Sequence, residues 1–325
     1  MLPLIARRPR VVSLGLAAAL CVVLSPWGAG QRVDAQQQGQ LFISALNGKG
    51  EPVINLEPGD VSVMVDDVAC KVIKLEPVNK PMKLTLMVDN GPSNSAALSN
   101  LRTGVKNFIE AIPPDVQIEL LTIAPQPRWL EKFTTDHEKL IKAVDRLSPD
   151  EGSGLFFDAL VEAGNRVDKE KTKEKSEAIP VFVMLASDVG RNASAMERDY
   201  QRLSKQVVQH GITVHFIVLN AGGVRVGGVA GALQTEVGLA LTKLSRGRFE
   251  NIAAAARLIS LMPELAKQIA ESNTRQTHQY RLTYQFPSGK DPQSVQKFTA
   301  GISPLRIGVS GMLSLDGHMP VGGAQ

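Results

Sequence analysis

Cysteine is nearly absent from this chain of 325 residues, which contains only two. Cys21 lies in an apolar segment near the N-terminus, and Cys70 lies in a run typical of a strand. If the N-terminal segment is removed, a single cysteine cannot form a disulfide within the chain, so the apolar core must hold the fold. We interpret Cys70 as a small hydrophobic side chain rather than a reactive thiol.

Aromatic residues make up only 5% of the chain, and its five histidines show no metal-ligand spacing. Neither Ser93 nor Ser153 has a base in a recognisable catalytic motif. We therefore predict that the protein is not an enzyme. The histidines, interpreted as surface or internally hydrogen-bonded residues, are His137, His210, His215, His278 and His318.

An excess of positive charge is largely confined to the N-terminus. The formal charge is +4 and the isoelectric point about 9.0. Residues 1–35 contain Arg7, Arg8, Arg10, Arg32 and Asp34, so their removal lowers the charge by three, to about +1. The basic isoelectric point therefore does not indicate a nucleic-acid partner.

The first 35 residues have the composition of an export signal. A basic region with three arginines precedes the apolar run Val11 to Leu24, and Val33-Asp34-Ala35 ends on a small residue. We predict cleavage after Ala35 and export to the periplasm, envelope or extracellular space, with no stable membrane insertion afterwards. The alternative, a retained anchor, is less favoured because the apolar run is shorter than the roughly 20 residues that span a bilayer.

Residues 83–112 contain the pattern from which the fold of the rest of the chain is inferred. Leu84, Leu86 and Val88 lie in an apolar run that predicts a buried strand, which ends at Asp89. A turn at residues 90–92 leads into a helical pattern. Strand, polar loop and helix form the first half of a doubly wound unit, in which ligands bind at the carboxyl ends of the strands.

Further strands and helices alternate after this unit. The strongest later strand pattern is Pro180–Ala186, and Asp188 follows it. The fold class predicted is α/β, a doubly wound and mostly parallel sheet of Rossmann-like type. The glycine-rich stretch 220–231 does not have the spacing of a phosphate-binding loop, so we interpret it as a surface loop.

Three loops of this pattern resemble the metal-site loops of von Willebrand factor A-type domains. The family pattern Asp-x-Ser-x-Ser reads Asp89-Asn90-Gly91-Pro92-Ser93 here, with glycine at the first serine position. The family's Gly-Gly-Thr loop reads Gly152-Ser153-Gly154, and its third-loop aspartate matches Asp188. Element order from about residue 40 to 310 is similar to that of bacterial secreted proteins with such a domain.

The resemblance implies a protein-binding or adhesion module with a degenerate site for Mg²⁺ or Mn²⁺. The ligands it implies are Asp89, Ser93, Ser153 and Asp188, and we expect binding to be weak or vestigial because Gly91 and Gly154 supply no hydroxyl. A different interpretation of Asp89 is a cap for the following helix. The partner implied is an unidentified protein. The alternative function is a metal-independent structural or assembly component of the bacterial envelope.

The two ends of the chain predict a separate β module. Residues 36–80 contain four short strand patterns, and Gln279–Phe286 alternates as a strand with Tyr280, Leu282 and Tyr284 on one side. Neither end has enough apolar area to be stable alone, so we expect them to pack together. The predicted organisation is a signal peptide (1–35), an N-terminal β segment (36–80), an A-type domain (81–252), a C-terminal helix with strands (253–310) and a disordered tail (311–325).

Overall fold

Two six-stranded sheets carry the fold, and the chain leaves the first sheet for the second and then returns. The computed structural model describes residues 37–313, apart from residues 48, 50, 54, 190–195, 221–231, 291–293 and 303–308. The signal predicted at 1–35 and most of the glycine-rich loop therefore lie outside the described residues. The strands are β1 Gln38–Asn47, β2 Val61–Val65, β3 Val68–Asn79, β4 Met82–Val88, β5 Gln117–Thr122, β6 Arg128–Thr134, β7 Ile179–Ser187, β8 Thr213–Leu219, β9 Phe249–Ile252, β10 His278–Gln285, β11 Phe298–Ile302 and β12 Val309–Leu313. The helices are α1 Leu98–Ala111, α2 His137–Asp145, α3 Phe156–Thr172, α4 Met196–His210, α5 Ala232–Ser245 and α6 Leu258–Thr277, with 3-10 turns at Pro58–Asp60, Pro92–Ala97 and Ala255–Arg257.

The central sheet confirms the predicted α/β class. Its strand order is β6-β5-β4-β7-β8-β9, and every pair is parallel except β5 with the edge strand β6. The inner strands β4 and β7 are apolar along most of their length because helices cover both faces. The order reverses between β4 and β7, which is where an open α/β sheet forms its ligand crevice.

The helices divide into two layers, one on each face of this sheet. One apolar cluster joins the sheet to α1, α2 and α6, and the other joins it to α3, α4 and α5. Helix α6 contributes Leu258, Leu261 and Leu265 to the first cluster. The predicted division at residue 253 therefore falls inside one packed core. No helix in the described ranges is long and apolar enough to cross a membrane.

The predicted β module is present as a curled antiparallel sheet with the order β11-β2-β3-β10-β1-β12. The C-terminal strand β10 lies between the N-terminal strands β1 and β3, with Tyr280 opposite Ile43 and Tyr284 opposite Val72. Tyr280, Leu282 and Tyr284 are buried in one cluster with residues of β1 and β2, as their alternation predicts. The two ends of the chain thus complete each other's core.

Some module strands differ from their predicted positions. The sequence pattern also predicts a strand at Val53–Leu56, but the described residues there form none. Instead, the Tyr280 hydroxyl accepts from Leu56 N at 3.1 Å and donates to Val53 O at 3.0 Å. The sequence pattern also predicts C-terminal strands at Ser294–Phe298 and Leu305–Val309, whereas the observed strands begin at Phe298 and Val309. Strand β12 extends through Leu313, three residues into the predicted tail, because it pairs with β1.

Candidate functional site

The candidate site lies at the carboxyl ends of β4 and β7, where the sheet order reverses. Parallel pairing continues one residue past β4, because Asp89 N donates to Leu185 O at 2.8 Å. The loop after β5 is joined to the same edge, with Ile123 N donating to Val88 O at 3.2 Å. Loops from three strands therefore converge on the residue that follows the central strand.

The Asp89 carboxylate is buried and hydrogen-bonded on both oxygens. Asp89 is only 2% exposed. Oδ1 accepts from Gly91 N at 2.9 Å, while Oδ2 accepts from Ser187 N at 3.1 Å and from Ser187 Oγ at 2.5 Å. Charge-assisted bonds of this kind stabilise a buried carboxylate. Asp89 does not cap α1, since the cap position of that helix is Ala97.

The backbone of the second loop, residues 152–154, packs closely against this carboxylate. A Cβ atom placed on Gly154 would lie 2.6 Å from Asp89 Cγ and Oδ1. A Cβ on Gly91 would lie 3.1 Å from Asp89 Oδ1 and 3.3 Å from Gly152 O. Gly154 at the family's threonine position is therefore a close-packed residue, and the Asp89 carboxylate fills the space that a side chain there would need.

Asn90 joins the loop after β4 to two other loops by hydrogen bonds. Its Oδ1 accepts from Ala124 N at 3.1 Å, and its Nδ2 donates to Ser148 O at 3.0 Å. Its backbone oxygen accepts from Asp150 N at 2.9 Å. Asn90 is 2% exposed. Sequence reasoning interpreted it only as a turn residue, and nothing in its local pattern indicates contacts with two other loops.

The structure brings together only part of the predicted ligand set. Asp89 and Ser93 meet through Ser187, to whose Oγ the Ser93 hydroxyl donates at 3.4 Å. Ser153 and Asp188 are partly exposed, whereas Asp89 is buried. Ser187, which the prediction missed, takes the place next to Asp89. The only sequence signal for it is a hydroxyl at the last position of an apolar strand, immediately before Asp188.

The residues that surround Asp89 do not fit a resident Mg²⁺ or Mn²⁺ ion. Such an ion takes about six oxygen ligands, several from carboxylates or hydroxyls. Both Asp89 oxygens and the Ser187 hydroxyl already bond each other or the backbone, and Gly91 and Gly154 offer no side-chain oxygen. Within the described ranges, no group of three or more His, Cys, Asp or Glu residues is placed to hold a metal. Hydrogen bonds within the protein thus occupy the centre of the site.

Comparison with known protein families identifies the fold. The sequence model of the von Willebrand factor type A domain matches residues 84–226, which contain most of β4 and the loops around Asp89. Residues 84–226 form a von Willebrand factor type A domain. In the structure this A domain continues through β9 and α6, because both pack in the same core.

Several solved structures are similar to the chain at low identity. A von Willebrand factor type A protein from Catenulispora acidiphila is 12% identical, with 87% of this chain and 73% of that one covered and a TM-score of 0.45. The pilus adhesin SpaC from Lactobacillus rhamnosus GG is 12% identical, with 78% and 47% covered and a TM-score of 0.47. BatB from Bacteroides thetaiotaomicron is 12% identical, with 58% and 99% covered and a TM-score of 0.43. A comparison with curated protein sequences gave no match.

Proposed function

We propose that this protein is an exported, non-enzymatic binding module whose A domain engages a protein partner at the loop edge around Asp89. The loop edge consists of residues 89–97, 148–155 and 187–189. Loops held by a rigid sheet are the usual place for recognition. Its exposed positions include Pro92, Ser95 and Glu151.

Among the described residues of the loop edge, the absence of an activated nucleophile supports a binding role over catalysis. Ser187 Oγ lies against the Asp89 carboxylate, but no histidine of the described residues bonds either group. His210 instead pairs with Asp168 at 2.7 Å, and His215 accepts from Arg248 N. A nucleophile needs an adjacent base that is itself oriented by a third group. The loop edge does not combine these parts.

We further propose that partner binding at the loop edge does not require a divalent cation. The observation that carries this proposal is the contact of Gly154 with a carboxylate whose oxygens are already hydrogen-bonded. A cation would have to replace the Ser187 bond and move the second loop. Any binding of Mg²⁺ or Mn²⁺ should therefore be weaker than micromolar.

Calorimetric titration of residues 36–325 with MgCl₂ and with MnCl₂ tests the cation proposal. We expect no heat of binding at micromolar concentrations. Asp89→Ala is the matched variant. Sub-micromolar binding that this substitution abolishes would contradict the proposal.

Photo-cross-linking in the expressing cells tests the protein partner. A cross-linking amino acid at Ser95, exposed on the loop edge, should capture a defined protein with or without EDTA. The same group at Glu138, exposed at the start of α2, is the control. Loss of the Ser95 product in EDTA would favour a metal-dependent site. Equal products at both positions would argue against the loop edge, and incorporation into a stoichiometric envelope assembly would favour the structural role.

Export is tested separately by N-terminal sequencing. The mature protein recovered from outside the cytoplasm should begin at or near Gln36. Recovery of a chain that still contains residues 1–35 would indicate an anchored protein.

A further inference from the structure

A cleft opens at the amino ends of β7 and β8, the sheet edge opposite Asp89. Its volume is about 570 Å³, within the range of ligand-binding clefts. Its walls are formed by the ends of α4 and α5, the C-terminal half of α6 and the start of β4. The proposed function at the loop edge makes no use of this cleft.

The polar lining of the cleft is predominantly basic. Lys80, Lys171, Arg246 and Arg275 line it, whereas Glu177 is the only carboxylate among its described lining residues. In the described part of the chain neither arginine side chain forms an ion pair. Burial, and after it the charge of Lys80, lowers the pKa of Lys171. Lys80 and Lys171 are therefore close enough to repel, and the described lining has fewer anions than cations.

Helix ends account for only some of these cations. The negative end of a helix dipole favours a basic residue in the last turn, as with Lys171 in α3 and Arg275 in α6. Arg246 follows α5 in a left-handed conformation with φ of 59°, where glycine is the usual residue. Lys80 lies between two strands. Neither Arg246 nor Lys80 lies in the last turn of a helix.

Exposed apolar side chains stand beside the cations. Val208 is 62% exposed and Leu244 is 43% exposed, and both line the cleft. Deeper in, Val181 and Ile269 are buried. An anion with no apolar part would leave these side chains in water. The lining therefore matches a ligand that carries both negative charge and hydrocarbon.

We propose that this cleft binds an acidic peptide segment of a partner protein. Carboxylates of the peptide interact with Arg246 and Arg275, and an apolar side chain packs against Val208 and Leu244. Arginine suits this role because its planar guanidinium pairs with carboxylates in a bidentate manner. The protein then has two binding surfaces at opposite edges of one sheet.

Selection from a library of displayed random 12-residue peptides tests this inference. Residues 36–325 serve as bait, and selected peptides are then measured by fluorescence anisotropy. We expect enrichment of Asp or Glu together with an aliphatic residue. Arg246→Gln with Arg275→Gln should weaken binding at least tenfold, and Leu244→Glu should weaken it as well. Affinity should also fall as salt is raised, because the attraction is electrostatic.

The matched control is Lys132→Gln with Arg198→Gln, which removes two exposed cations that do not line the cleft. The control should stay within twofold of the wild type, with all variants checked by thermal unfolding. Selected peptides without acidic residues, or equal loss in both double variants, would overturn the inference. So would arginine-dependent binding to phosphatidylglycerol vesicles without peptide binding, which would indicate a membrane surface. Substitutions at Asp89 should leave peptide binding unchanged, so this result is separable from the proposed function.

Discussion

His215 shows how a single buried residue ties the stability of the fold to pH. It is 4% exposed in β8, and its Nδ1 accepts from Arg248 N at 3.0 Å. Burial, and after it the charge of Arg248, lowers the pKa of His215 to about 4. The imidazole therefore stays neutral in the folded protein at pH values where an exposed histidine is protonated.

Lowering the pH from 7 to 5 should destabilise the protein through His215. The unfolded chain takes up a proton near pH 6.5 and the folded one only near 4, so stability is lost as pH falls between these values. At pH 5 this loss is about 2 kcal/mol. His215→Asn keeps an acceptor but does not titrate, so urea unfolding at both pH values should show a smaller loss in the variant. Identical losses in the two proteins would assign the pH dependence to other groups.

The role of Gly154 depends on how close it lies to the Asp89 carboxylate. Restoring the family's side chain with Gly154→Thr should lower the free energy of unfolding by about 1–3 kcal/mol, because the new Cβ overlaps Asp89. Chemical denaturation measures this loss. At Gly301 nothing lies within 4 Å of an added Cβ, so Gly301→Thr is the control and should change stability little. A stable Gly154→Thr protein that gains Mg²⁺ binding would show that the loops rearrange to admit a cation.

At the scale of elements, α1 and α6 pack closely over the central sheet. Gly104 in α1 permits this approach, since a Cβ there would lie 2.9 Å from the backbone oxygen of Leu258. Leu101, Val105 and Phe108 of α1 are buried in the same cluster as the apolar face of α6. The last helix is consequently part of the A domain and is followed directly by β10 of the module.

Gly104→Ala should destabilise the protein, although alanine favours a helix over glycine by about 1 kcal/mol. The displacement of α6 should outweigh that gain and give a net loss of about 1–3 kcal/mol, measured by chemical denaturation. Ser99→Ala, at an exposed position of α1, is the control and should cost little. A gain in stability at position 104 would mean that the two helices separate without cost.

For the whole molecule, β10 determines whether the N-terminal strands have a core. It pairs with β1 on one side and β3 on the other, and Leu282 is completely buried between them. Its neighbours Tyr280 and Tyr284 lie in the same cluster. The β module therefore depends on residues from both ends of the chain.

Leu282→Ala should destabilise the β module by about 2–5 kcal/mol, the usual cost of removing a large buried aliphatic side chain. Hydrogen exchange should then increase in β1 and β3 and much less in β4 and β7. Lys71→Ala, at an exposed position of β3, is the control. An equal increase in all four strands would show that the module and the A domain unfold as one unit.

The sequence by itself determined most of the elements, because local patterns set local backbone states. The apolar runs of β4 and β7 and the alternation in β10 can all be recognised without a structure. The meeting of the loop after β4 with the loop at residues 152–154 was implied by the resemblance of both to the metal-site loops of A-type domains. The β module was predictable because two apolar surfaces, each too small to be stable, must be buried together.

Only the tertiary structure decided which atoms meet. The partner of Asp89 is Ser187, which is 98 positions away and adjacent to the residue that the loop pattern indicated. The closeness of Gly154 to that carboxylate, like that of Gly104 to Leu258, depends on how two backbones approach in space. A glycine has the same local signature whether its Cβ position is empty or filled by a neighbour. A motif that resembles a metal site can therefore be recognised in the sequence, whereas the space available for a metal ion depends on packing.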